Sequence, residues 1–353
     1  MYSESDIDLA VAGGAISAEA AAALRGHVAA SRNAPAVDEE QFRLLTGFND
    51  IFVSIACVLL LAALAGIGGA ITRVLAPALV AAAAWGLAVY FTRVRRMALP
   101  SIILLLAFVG GVAATMGTAV ANDAVVRWIQ SFDGQNMQAA VASLIAAVIG
   151  SLTAVAAYAH WRHFHVPITV AAGAVSVVAV ALSLIAGLIP AARDVIIPLV
   201  LVAGLAMFAF AMRWDLSDRE RRTRRSDVAF WLHLAAAPMI AHALFHLLGV
   251  FDGDMSVAKA LVVLALYVAF AIVALAVDRR ALLVSSLAYV LYALYALFTQ
   301  AGAVELSAAF TGLVIGSALL LLSAFWQAVR RRVVTALGGN WAHRLPPVQL
   351  RPA

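Results

Sequence analysis

Three histidines share one apolar stretch of this chain. Residues 228–250 contain His233, Pro238, His242 and His246, with Trp231 and Phe245 among them, and Asp252 and Asp254 follow directly. His242 and His246 are four residues apart, so a helix stacks them on one face. An imidazole pair beside two carboxylates can relay protons or supply part of a metal site. The plainer reading is that neutral rings hydrogen-bond to neighbouring helices and pack. Two histidines without a placed third ligand do not make a zinc site, and no second axial ligand for haem stands at matching depth. No cofactor is therefore expected. Pro238 cannot donate its backbone hydrogen bond and crowds the carbonyl of Leu234, which predicts a kink.

A second polar point is Thr46-Gly47-Phe48-Asn49-Asp50-Ile51-Phe52, where Asn49 and Asp50 stand at the start of a long apolar run. The positive end of a helix dipole accounts for Asp50 there. The alternative is a polar pair at a cytoplasmic gate. His160, His163 and His165 cluster with Trp161, Arg162 and Phe164, a composition suited to anchoring at a membrane interface. Tyr289, Tyr292 and Tyr295 form a stripe that reads as packing, and Gly312 with Gly316 permits close helix contact within the bundle. Cys57 is the sole cysteine, so no intrachain disulfide can form. The chain has no GxxxxGK[ST], HExxH or GxSxG motif and no convergent acid–base set, so it is not expected to be an enzyme.

The elements that must hold these side chains are membrane spans. Of the 353 residues, 64% are hydrophobic and 12% charged, whereas soluble domains sit near half apolar and a quarter charged. Apolar runs lie near 51–71, 74–92, 101–121, 137–158, 167–189, 195–212, 228–250, 257–277, 281–299 and 307–329. Each approaches the ~20 residues that cross a ~30 Å hydrocarbon core. The fold expected is an all-α polytopic bundle of about ten transmembrane helices, with very short turns around Arg73 and Asp278–Arg280. Ten spans permit two inverted five-helix halves, although residues 51–189 and 195–329 share no visible similarity.

Charge gives the orientation. With both termini cytoplasmic, twenty basic residues fall inside and only Arg73, Arg127, Arg193 and Lys259 outside, as the positive-inside rule requires. The Arg213–Asp227 loop mixes arginines with acids and reads as a topogenic, partly self-paired loop facing anionic lipid. Residues 1–48 carry seven acids against three arginines, a net of −4, which leaves +9 for the rest. This basic excess lies in short loops, so nucleic acid is not an expected partner. The N-terminal segment reads as a small helical hairpin, the first helix ended by Gly13 and Gly14 and the second capped by Ser17. The expected organisation is a hairpin and linker over 1–47, a ten-helix domain over 48–330 and a cytoplasmic tail over 331–353.

Gly14-Ala15-Ile16-Ser17-Ala18-Glu19, the Gly47–Val53 stretch, and Trp341, Leu345, Pro346 and Pro347 resemble a bacterial family of multispan membrane proteins of undefined role. Its members open with a short cytoplasmic two-helix segment. The resemblance implies topology. The partners expected are the lipid bilayer, a small solute or ion, and a protein at the hairpin. The leading function is transport or permeation of a small solute or ion across a bacterial inner membrane. The alternative is a non-catalytic sensor or scaffold acting through the hairpin.

Overall fold

A computed structural model describes residues 4–31, 48–219, 221, 223–250, 256–302, 305–338 and 345–346. Among them are fourteen α-helices and no strand. The chain divides into two compact units, 1–42 with 349–353, and 43–348. Of the residues behind the family resemblance, Gly47, Trp341 and Pro347 lie outside the described set.

The first unit is a hairpin of α1 (Glu4–Ala12) and α2 (Ala18–Ser31). Gly14 takes φ 71°, the left-handed conformation that ends a helix without steric penalty. The Ser17 hydroxyl accepts from the Ala20 amide at 3.0 Å, the expected N-cap. Arg25 and Asp8 join the two helices at 2.7 Å. Leu9 and Leu24 are exposed.

The second unit contains α3 (Phe48–Ile71), α4 (Leu75–Ala88, continued by a π-helical stretch over Val89–Val94), α5 (Ala98–Val120) and α6 (Asp123–Gln130). It continues with α7 (Gln135–Phe164), α8 (Ile168–Leu188), α9 (Ile196–Ser217), α10 (Arg224–Leu247) and α11 (Val257–Val277). Last come α12 (Ala281–Gln300), α13 (Ser307–Ala324) and α14 (Trp326–Leu337). All but α6 and α14 are long and apolar enough to cross a membrane, which makes ten spans among the described residues. The chain is a multi-pass integral membrane protein.

Two elements depart from the apolar runs. α6 is a short amphipathic helix between spans, with Val125, Val126, Trp128 and Ile129 against Asp123, Arg127 and Gln130; Asn122 caps it by accepting from the Val125 amide at 3.0 Å. The last apolar run does not reach residue 329. α13 stops at Ala324, and α14 begins at Trp326, whose indole is committed to a carboxylate described below.

Each span reverses the chain. The connections after the α4 π-stretch, α7, α9, α11 and α13 therefore share one end of the bundle, and most of the arginines lie in or beside them. This is the arginine-rich end. The short turns expected around Arg73 and Asp278–Arg280 are present. At the first, Thr72 Oγ1 accepts from the Leu75 amide at 3.1 Å, and α3 meets α4 so closely that a Cβ on Gly68 would lie 2.7 Å from the Ala76 Cα.

The apolar interior has two centres. One gathers Cys57, Leu61, Ala84, Leu104, Leu105 and Phe164 from the early spans, and the other gathers residues of α8 to α13, including Leu232, Phe245, Val263 and Val290. Trp231 packs against both. α10 is the most enclosed span, 56% buried against at most 39% for any other. It runs unbroken through Pro238. Gly312 and Gly316, expected to pack inside the bundle, instead face open space: a Cβ on either would meet nothing within 4 Å.

Candidate functional site

Asp215 lies in the last turn of α9, facing the negative end of that helix's dipole, where a carboxylate needs compensation. It is 2% exposed, and donors from two side chains converge on it. Arg279 Nη2 donates to Oδ1 at 2.5 Å and Arg279 Nε to Oδ2 at 3.3 Å, a side-on fork. His233 Nε2 stands 2.9 Å from Oδ2. A carboxylate oxygen can only accept, so His233 carries its proton on Nε2. Its Nδ1 is buried with no hydrogen-bond partner among the described residues. Arg279 Nη2 also donates to the Ser226 carbonyl at 3.0 Å, and Phe208 meets the His233 ring edge-on at 4.9 Å. Three elements, α9, α10 and the α11–α12 turn, are thereby joined by one ionic cluster.

A second cluster adjoins it through the peptide bond between Asp278 and Arg279. Asp278 closes α11 in the left-handed conformation, φ 60°. Its Oδ2 accepts from Arg221 Nη1 at 3.0 Å, and its Oδ1 accepts from Trp326 Nε1 at 2.7 Å and lies 3.5 Å from Arg330 Nε. Arg221 Nη2 donates to the Val277 and Asp278 carbonyls at 3.3 and 3.0 Å, capping the end of α11. The Arg280 guanidinium lies over the Trp326 ring, 4.6 Å from its centre. Arg330 is buried; burial pushes its guanidinium below the ordinary arginine value, and the Asp278 carboxylate pushes it back up.

Among the described residues, those singled out from sequence do not form one constellation. Only His233 belongs to the ionic cluster. His242 and His246 have ring centres 6.1 Å apart and both are exposed. His242 Nδ1 lies 2.9 Å from the Tyr289 hydroxyl, and the Tyr289 ring stacks on Phe245 at 4.3 Å, so the tyrosine does more than fill space. His233 precedes His242 by nine residues, or 900° at 100° per residue, which puts the two on opposite sides of α10 about 14 Å apart along its axis. Asp252 and Asp254 lie outside the described residues. Asn49 is exposed and Asp50 buried in the first turn of α3, where its carbonyl accepts from Ser54 Oγ at 2.6 Å.

The Arg213–Asp227 loop, expected to be partly self-paired, also reaches across to other elements. Asp218 does bind locally, accepting from the Thr223 amide and hydroxyl at 2.8 and 2.7 Å. Asp215 and Arg221, however, pair across to Arg279 and Asp278. The interfacial histidines separate by role. His160 is fully buried among Trp85, Phe108 and Phe164, with Nδ1 3.4 Å from Thr169 Oγ1. His163 stacks on Trp85 at 5.5 Å and faces Arg93 at 3.4 Å. No group of three His, Cys, Asp or Glu side chains among the described residues is arranged to hold a metal ion.

The ionic pair was missed because its members are 64 residues apart and each, taken singly, looks topogenic. Two signals pointed to it: an acid at the carbonyl end of an apolar helix, and an Asp-Arg-Arg turn too short to carry its charges away from the bundle. Comparison with known proteins adds no relative: no family model, curated protein or solved structure matches this chain.

Proposed function

We propose that the bundle passes a small solute or ion across the membrane, and that the Asp215–Arg279–His233 cluster closes the path at the arginine-rich end. The observation that carries this reading is the burial of three ionisable side chains from three elements, in mutual contact, at one end of the bundle. Such groups are costly in a membrane protein and characteristically mark ion and substrate paths. The cluster, with the adjoining Arg221–Asp278 pair, bridges the α9–α10 and α11–α12 hairpins at one end only. The two apolar centres add support, since a seam between separately packed groups of spans is where alternating access occurs.

The test uses purified protein in liposomes and four probes: protons followed by entrapped pyranine, potassium, chloride, and glycerol by vesicle swelling. At least one is expected to move faster than through protein-free vesicles, and Asp215→Asn should change that rate. No acceleration for any probe would overturn the reading. It would leave the sensor or scaffold alternative, which is supported by the exposed Leu9 and Leu24 of the hairpin.

The accompanying orientation places both termini and the arginine-rich end in the cytoplasm, in a bacterial inner membrane, with residues 1–47 as the cytoplasmic segment resembling the multispan family. Reporter fusions after residues 95, 220 and 335 should give cytoplasmic signals, and fusions after 130 and 253 external ones. A cytoplasmic signal at 253 would remove the alternation on which the second half depends.

A further inference from the structure

α14 repeats buried residues at Trp326, Arg330 and Val334, four apart and on one helix face. That face is turned to the bundle, and each buried residue has a fixed partner. Trp326 donates to Asp278, and Arg330 lies against the same carboxylate. Val334 packs with Ala276 and with Leu345 from beyond the helix. The Leu345–Pro346 segment is held by its backbone: Arg219 Nη2 donates to the Leu345 carbonyl at 2.8 Å, and Arg330 Nη2 to the Pro346 carbonyl at 2.7 Å. Leu345–Pro346 and α14 together thus grip the α9–α10 loop, through Arg219, and the α11–α12 turn, through Asp278.

Those two connections also carry the ionic cluster. Asp215 and Ser226 flank the first, and Arg279 lies in the second, next to Asp278. The left-handed backbone at Asp278 lets adjacent side chains serve different partners, Asp278 the strap and Arg279 the interior. Trp326 and Arg330 hold Asp278 from the strap side and Arg221 holds it from the α9–α10 loop, so losing the strap removes part of what fixes the turn that presents Arg279 to Asp215.

We propose that α14 and Leu345–Pro346 form a strap that locks the arginine-rich end, and that its release opens the Asp215–Arg279 pair to water. The strap is a control element on the end of the bundle, whether or not a solute passes. A cap that merely completed the fold would make the same contacts but, once removed, would loosen the buried helix faces as much as the cluster.

The test exploits the single cysteine. Cys57→Ala gives a background with no thiol, into which Ser226→Cys places a reporter beside the cluster, and Ser286→Cys a control in the buried face of α12. Both are labelled with a membrane-impermeant maleimide in nanodiscs, which expose the two faces alike. In the full chain both thiols should react slowly. In Leu345→Asp, and separately in a chain ending at Gly338, labelling at position 226 should rise by about tenfold or more while position 286 stays slow, the mark of local and not global opening. Arg219→Gln, which removes only the donor to the Leu345 carbonyl, is a third variant should either of these fail to fold. Unchanged labelling at 226 in every folded variant would overturn the proposal, and so would equal acceleration at both positions. The readout involves no transported solute, so failure of the transport reading and failure of the strap are distinguishable.

Discussion

Arg279→Ala should lose about 3–5 kcal/mol of stability, because it leaves the Asp215 carboxylate buried without its principal counter-charge. Asp215 and Arg279 are 2% and 5% exposed, so water cannot replace the missing guanidinium without the helices parting. The Ser226 carbonyl loses its Arg279 donor in the same substitution. The comparison that isolates the ion pair is the double variant Asp215→Leu/Arg279→Met, in which both charges are replaced by apolar groups of similar bulk. Such exchanges are often neutral or favourable, so the double variant should recover more than half of the loss. It should not recover all, because the His233 imidazole then loses its acceptor, at about 1–3 kcal/mol for a buried unsatisfied polar group. Unfolding in mixed micelles measures all three proteins. An Arg279→Ala protein as stable as the parent would mean that the pair contributes nothing to holding α9, α10 and the α11–α12 turn together.

Two glycines two residues apart on α3 should respond to the same substitution with opposite sign. Gly68→Ala puts a methyl group 2.7 and 2.8 Å from the Ala76 Cα and nitrogen and 2.9 Å from the Leu75 carbonyl carbon. These are backbone atoms, so no side-chain rotation relieves the overlap and α3 must move off α4, at about 1–3 kcal/mol. At Gly66 an added Cβ meets nothing within 4 Å, and replacing a mid-helix glycine by alanine gains about 0.5–1 kcal/mol. Thermal unfolding in detergent should therefore show Gly66→Ala at or above the parent and Gly68→Ala well below it. If the two melt together, the helices are not in the close contact described.

The spans were legible because lipid imposes a single demand, about twenty apolar residues with every backbone group bonded inside its own helix. That demand acts locally, so composition alone reveals α3 or α11. α6 escaped because eight residues of mixed character satisfy no such rule. The ionic cluster escaped for a different reason. The three histidines of α10 were grouped by nearness in sequence, but helical rotation carries His233 away from His242 and His246 and toward Asp215. Its true partners come from two other elements, and only packing brings those elements together. Asp278 and Arg279 illustrate the same limit: adjacent in sequence, one faces a terminal helix and the other the interior.

The turns at the two ends of the bundle obey different rules. Among the described residues, every non-glycine with positive φ lies at the arginine-rich end: Arg96, His165, Arg221 and Asp278. The turns at the opposite end place Gly134, Gly249 and Gly302 in the same region. For a residue with a Cβ the left-handed conformation costs about 1–2 kcal/mol, so glycine would close the first set of turns more comfortably too. A glycine, however, carries no charge to direct threading. Basic residues bias the direction of each hairpin while the nascent chain is entering the bilayer, whereas backbone comfort counts only once a turn has closed. At Arg96 and Arg221 the left-handed position is held by a residue that carries charge, where glycine would cost the backbone less.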